Sequence, residues 1–298
     1  MHIPDGYLDM NIAGLFYLLT AMVLGYSIYK IRKEQVNWVL VGITASAIFA
    51  AQMLNWPIPG GTSAHFVGGA LAGILLGPYA GCLAMACVLI VQCLVFADGG
   101  ITALGANVWN MGIVDVFVGY YIYKALENRN RFLAGFLAGW LGITLAAIFA
   151  GVETGLSSNF RYSIAVTVPV MGTWHALLGI VEGVITGSIV NYIATTRPDI
   201  LKAVKEVKVG KIAWIALAVM IALSPVFAYL AELVNYSEPL ENVASALGVS
   251  EHPIYEGILP DYTVPGLNPY IGTLVSGIVG VVIVLAIGFI IQRASGTR

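Results

Sequence analysis

The chain has little charge. Only 10% of its 298 residues are Asp, Glu, Lys or Arg, against about 25% in a soluble domain. Hydrophobic residues make up 59%. Too few polar groups remain to cover a globular surface, so the composition predicts an all-α, polytopic transmembrane helix bundle. No Lys or Arg precedes Lys30 and no small-residue cleavage site follows the start, so no secretory signal is read. A Gly-x-x-x-x-Gly-Lys-Ser/Thr phosphate loop is missing, which excludes ATP hydrolysis by this chain. His-Glu-x-x-His and Gly-x-Ser-x-Gly are missing too, so no enzyme is read. Nothing calls for a resident cofactor or a nucleic-acid partner. Cysteines are few. Cys82, Cys87 and Cys93 fall in one apolar run with neither metal spacing nor a disulfide pattern, and read as small hydrophobes.

What is present is a series of apolar runs, at about 11–31, 36–54, 64–77, 79–96, 104–126, 132–151, 170–194, 212–234 and 270–291. They predict about nine helices. The third run is short and rich in glycine, and spans only with help from its flanks. With the N-terminus outside, 13 of the 14 basic residues fall in inside segments, and only Arg161 lies outside. The positive-inside rule therefore sets the N-terminus on the extracytoplasmic side of a cytoplasmic membrane. Segment 195–211 is the longest inside stretch and marks a domain boundary. Seven helices precede it, and two follow, joined by the proline-rich, acidic outside loop 235–269. Small residues recur every four positions, at Gly69, Gly73, Gly77 and Gly81, at Gly135 and Gly139, and at Gly179, Gly183 and Gly187. Such faces let membrane helices approach closely, within the bundle or against a partner.

The first eight residues, Met1-His2-Ile3-Pro4-Asp5-Gly6-Tyr7-Leu8, carry the strongest chemical signal. With Met1 retained, its α-amine, the backbone nitrogen of His2 and the ring Nδ1 of His2 can lie in one plane around a metal. They close a five-membered and a six-membered chelate ring. One further imidazole completes a square of nitrogens, the geometry of Ni(II) and Cu(II). The amide binds only after losing its proton, so affinity should fall with pH. Four histidines exist, His2, His65, His175 and His252. His65, in Pro59-Gly60-Gly61-Thr62-Ser63-Ala64-His65, enters the third helix on the same side as the N-terminus and is the natural fourth ligand. Thr62 or Ser63 can cap that helix. His175 is read at the outside start of the seventh helix, with Glu182 seven residues on along the same face. The pair suggests a supporting or proton-receiving role, or a satisfied structural histidine. His252 reads as solvated, with a transient metal contact as the alternative. Asn107 and Asn110, at the outside start of the fifth helix, can hold the N-terminal segment in place or cap the helix. Asp115 needs a buried polar partner that the sequence does not name.

With these residues in hand, the chain resembles the substrate-binding (S) component of nickel and cobalt energy-coupling factor (ECF) transporters, the NikM/CbiM family. The matching stretches are Met1 to Leu8, Pro59 to His65, Gly105-Ala106-Asn107 with Asn110-Met111-Gly112, and His175 to Gly179 with Glu182-Gly183. They cover residues 1 to about 200. Residues 201–298 resemble the two-helix NikN unit fused to the same chain, on layout and on the stretch from Pro260-Asp261-Tyr262 to Pro265-Gly266. The resemblance implies a seven-helix S-component in which Met1, His2 and His65 hold Ni(II) or Co(II). Supporting positions would be Ser63, Asn107, Asn110 and His175. It implies a transmembrane coupling subunit and two cytoplasmic ATPase subunits as partners. The square-planar donor set and the NikN-like tail lean towards nickel. An ion-coupled secondary transporter would need several buried charges and usually an internal repeat. Asp115 and Glu182 are too few, and no repeat is seen.

Overall fold

The structure, a computed structural model, describes residues 1–34, 36–58, 62–201, 210–233, 240, 244 and 251–294. Pro59, Gly60 and Gly61, Lys202, Lys205 and Lys208 of the basic linker, Glu238, Pro239 and Glu241 of the acidic loop, and Arg298 lie outside the described residues.

Each apolar run holds a helix. They are α1 (Met10–Ile31), α2 (Trp38–Gln52), α3 (Gly69–Leu76), α4 (Pro78–Val91), the pair α5 (Leu104–Asn107) and α6 (Asp115–Leu126), α7 (Arg131–Leu156), α8 (Ile164–Thr196), α10 (Lys211–Glu232) and α11 (Pro269–Ala294). A short helix, α9 (Pro198–Leu201), follows α8. Among the described residues, six helical segments are long and apolar enough to cross a membrane. Local chemistry sets several starts. The Asp9 carboxylate caps α1 by accepting from the N–H groups of Asn11 and Ile12, Asn37 caps α2, and Asn130 caps α7. Pro78 opens α4, where its missing N–H costs nothing. Two π-helical turns interrupt the bundle, Gln92–Phe96 after α4 and Val108–Val114 between α5 and α6. Such turns gather at functional sites, and both lie beside the N-terminal segment.

Helix α3 has only 8 residues. At 1.5 Å per residue it rises about 12 Å, less than half of a bilayer core of about 30 Å. A hairpin, β1 (Trp56–Ile58) paired with β2 (Thr62–Ala64), and the buried non-helical stretch 65–68 bring the chain to it. Neither Thr62 nor Ser63 caps α3. Both lie in β2, and the cap position is Gly68, at φ +83°. A β-carbon there would strain the backbone and meet Phe66 and Ile48. Non-helical backbone at this depth is tolerated only inside protein.

Helix α8 begins at Ile164, six residues before the predicted span, and runs through Pro169 near its start. His175 therefore sits well inside the helix, not at its beginning. The small-residue faces pack within the bundle. Gly135 on α7 meets Gly187 on α8, Gly179 meets Trp140, Gly183 meets Phe136, and Gly69 and Gly73 on α3 meet α6. Helix α11 leans on α2, where Gly288 and Gly42 touch backbone to backbone. Helix α1 stands at the edge, with Leu15, Leu18, Met22 and Tyr26 exposed. The chain ahead of it does not: Met1, Ile3, Tyr7 and Leu8 belong to the main core, with Met85, Met111, Ile143 and Met171.

Candidate metal centre

Residues 1 to 5 are all buried. Burying Ile3, Tyr7 and Leu8 contributes about 1.5–3 kcal/mol each against the cost of ordering the segment. Polar contacts fix its register. The Asn107 amide grips Ile3 at both ends: the Ile3 N–H donates to Oδ1 at 2.8 Å, and Nδ2 donates to the Ile3 carbonyl at 3.1 Å. Gly100 N–H donates to the same carbonyl. Asp5 accepts from Thr102 N–H and hydroxyl, and from Ile254 N–H at 3.2 Å. Gly100 has no alternative, since a β-carbon there would run into Asp5 and Pro4. At the far end of the segment, Asp9 accepts from Ser158 N–H at 2.7 Å, and Asn159 donates to the carbonyls of Gly6 and Leu8. The Ser158 backbone N–H holds the Asp9 carboxyl below its ordinary value.

This inserted segment brings His2 against His65. The rings stack with centroids 5.3 Å apart and planes 26° from parallel. His65 Nδ1 lies 2.9 Å from the Phe66 carbonyl. A ring nitrogen facing a carbonyl carries the proton, so Nε2 is the His65 nitrogen with a lone pair. The His2 Nε2 lies 3.3 Å from Gln92 Oε1, and its Nδ1 lies 3.2 Å from Asp98 Oδ1. Among the described residues no group of three His, Cys, Asp or Glu side chains is arranged to hold a metal. A metal here would need main-chain donors as well, which the amine and amide of a Met1-His2 clamp supply.

The other predicted positions divide. Ser63 is buried in β2, next to the approach to His65. Asn110 turns away from the N-terminal segment and donates to Glu153 at 2.7 Å. The His175 ring lies 3.0 Å from the Met171 carbonyl, one turn back on its own helix. His252 is exposed, and its backbone N–H donates to the Asp5 carbonyl. Glu182 does not use its position on the His175 face. Its carboxylate accepts from Val67 N–H at 2.9 Å and Gly68 N–H at 2.8 Å, the backbone just beyond His65. Asp115 lies against the Gly69 and Ala70 N–H groups at the start of α3. The acidic loop reaches the site through Tyr262, whose hydroxyl donates to Asp98 Oδ2 and whose ring stacks on Phe96. Burial and the nearby Asp98 push the Asp261 carboxyl above the usual range.

Sequence reasoning missed Gln52, Gln92, Asp98 and Glu153. All but Asp98 are single polar residues inside apolar helices, a signal that was available.

The family described as "Cobalt uptake substrate-specific transmembrane region" (CbiM) matches residues 2–200, and the PDGLE domain matches residues 235–296. The chain is 69% identical over 297 residues to a putative fused nickel transport protein NikMN of Archaeoglobus fulgidus, covering 100% of both. It is 33% identical to a probable fused nickel transport protein LarMN of Lactiplantibacillus plantarum, covering 96% of this chain and 95% of that one. A putative cobalt transport protein CbiM of Methanococcus voltae is 34% identical and covers 70% of this chain. The crystal structure of a truncated transition metal transporter superposes with a TM-score of 0.60 at 36% identity, covering 65% of this chain and 99% of that one. With a family match over residues 2–200 and a relative aligned along its whole length, the chain belongs to the CbiM family of substrate-specific transmembrane regions.

Proposed function

We propose that the chain binds Ni(II) as its transported substrate and is the substrate-specific component of an ATP-driven, ECF-type uptake system. One observation carries the reading: the Met1-His2 segment is buried within the bundle with the His2 ring stacked on His65. The donors would be the Met1 α-amine, the backbone nitrogen and Nδ1 of His2, and Nε2 of His65. Four nitrogens in a plane suit low-spin, diamagnetic Ni(II). Asn107 holds the segment beside the ligands, and Ser63 lies on the approach to His65. Asn110 and His175 act at a distance, through Glu153 and through α8 itself.

Residues 1–200 form the metal-binding S-component in this reading, and 201–298 an accessory unit whose loop 235–269 reaches the site. The chain lacks a phosphate loop, so ATP hydrolysis falls to two cytoplasmic subunits acting through a transmembrane coupling subunit. The basic residues favour a site facing the extracytoplasmic side of a prokaryotic cell membrane. Cobalt is the second reading, favoured by the family description and the CbiM relatives. Nickel is favoured by the two fused relatives named as nickel transport proteins.

The test is metal titration of chain carrying only a C-terminal tag, with intact-mass analysis of its N-terminus. Tight nickel binding should vanish in His2→Ala and in a form with residues added ahead of Met1, which turns the amine into an amide. Uptake in cells should require the coupling and ATPase subunits. Full binding by the N-terminally extended form refutes the clamp, and uptake without the ATPases points to an ion-coupled carrier.

A further inference from the structure

A line of buried hydrogen bonds runs from His2 to the backbone just beyond His65, and it has a direction. Gln52 Nε2 lies 2.6 Å from the Val67 carbonyl, two residues past His65. Gln92 Nε2 lies 2.6 Å from Gln52 Oε1, and Gln92 Oε1 lies 3.3 Å from His2 Nε2. Gln52 and Gln92 are buried on α2 and at the π-helical turn that follows α4.

The chemistry of one end fixes the rest. The Val67 carbonyl can only accept, so Gln52 must turn its NH2 towards it and its oxygen towards Gln92. Gln92 then donates to that oxygen and presents its own oxygen to His2. The His2 Nε2 must therefore carry a hydrogen, which leaves the lone pair of the neutral ring on Nδ1. Only Nδ1 lies close enough to the His2 backbone to close a chelate ring with its amide nitrogen. Asp98, beside Nδ1, pulls the other way. Reversing the chain to suit Asp98 would set the Gln52 oxygen 2.6 Å from the Val67 oxygen, with both groups buried. At His2 itself the two contacts are near equal, Asp98 at 3.2 Å and Gln92 at 3.3 Å, but the Asp98 side chain is 26% exposed and also bonded to Tyr262. The buried 2.6 Å contact of Gln52 with the Val67 carbonyl decides the direction.

We propose that Gln92 and Gln52 are positioning residues for the metal centre: an amide chain anchored on the Val67 carbonyl that selects the His2 tautomer competent to chelate a divalent cation. The inference rests on the ligand assignment above. It also links His2 to the His65 loop, because Glu182 grips the N–H of the same Val67 whose carbonyl anchors the chain.

The test uses full-length, metal-stripped protein labelled with [15N]histidine, at a pH above the imidazole value of about 6.5. The His2 signals are identified by their loss in His2→Ala. Wild type should show Nε2–H with a bare Nδ1. Gln92→Leu should lose that preference and weaken nickel binding about 10- to 100-fold, the usual effect of removing a ligand's hydrogen-bond partner. Gln52→Leu, which does not touch His2, should weaken the preference because Gln92 can then turn over. An Nδ1–H tautomer in wild type overturns the proposal, and so does a Gln92→Leu protein with wild-type tautomer and affinity. Should Gln92→Leu fail to fold, the wild-type tautomer and Gln52→Leu decide. A tautomer that follows prediction while His2→Ala binds nickel normally refutes the ligand assignment, and with it the positioning role.

Discussion

Asn107→Ala is the sharpest test of how the N-terminal segment is held. The substitution removes two buried hydrogen bonds to Ile3, the residue next to the proposed ligand His2. They are not lost equally. The Ile3 carbonyl keeps the Gly100 N–H at 2.9 Å, so it stays satisfied. The Ile3 N–H is left buried without that partner. A stranded donor costs about 1–3 kcal/mol, and the second bond adds about 1 kcal/mol. Because His2 must hold its register to chelate, about 2–3 kcal/mol of this should appear as a nickel Kd raised about 30- to 150-fold. Asn107→Asp keeps the acceptor for Ile3 N–H and loses only the donor, so its loss should be about tenfold or less. Isothermal titration in detergent measures both, with melting curves to show that the bundle is intact. An Asn107→Ala protein that binds nickel within about threefold of wild type would refute the idea that Asn107 fixes the clamp.

Two further outcomes follow from the contacts of the segment. The Asp9 carboxyl is held below its ordinary value by Ser158 N–H, so its grip is complete above about pH 4 and fades as the pH falls through the lowered native value. Amide exchange at Ser158 should therefore keep its protection from pH 7 to 5 and lose it in stronger acid, while Asp9→Ala, which has no acceptor, should lose protection throughout; equal protection in both proteins would dismiss the contact. Ending the chain near residue 205 removes His252, Ile254 and Tyr262, which bond Asp5 and Asp98. The truncated bundle, which keeps Met1, His2 and His65, should bind nickel about tenfold more weakly, roughly the worth of one net hydrogen bond, and should support less uptake; complete loss of binding would make the tail part of the binding fold.

Much of the bundle was legible because crossing a membrane demands long apolar runs, and each run became a helix. The details escaped where tertiary contacts overrode local pattern. The apolar run 64–77 carries α3 only from Gly69, because His65 to Gly68 are held in non-helical form by Gln52 and Glu182 from distant helices. The apolar run begins only at 170, yet α8 reaches back to Ile164 across Pro169, which removes the bond to Ala165 without ending the helix. At the proposed metal centre, Met1, His2 and His65 stand out in the sequence by their chemistry. Asn107 was legible as a grip on the N-terminus, whereas Asn110 was not separable from it by spacing alone and proved to face Glu153. Gln52 and Gln92 lie 40 residues apart, and no spacing rule joins them. Their orientation follows from one backbone carbonyl that no sequence pattern reveals.

The inserted N-terminal segment also sets an order of assembly. Residues 1–9 are held by partners made much later: Asn107, Ser158 and, last of all, Ile254. At about 5–20 residues per second, Ile254 emerges roughly 13–50 s after the start. Until Asn107 and Ser158 are made, the leading residues lack their main polar seat in the bundle, however early α1 enters the membrane. The proposed centre thus closes only after α5 and the turn beyond α7 are made, and a chain cut short before Ser158 lacks the contacts that would seat His2 beside His65.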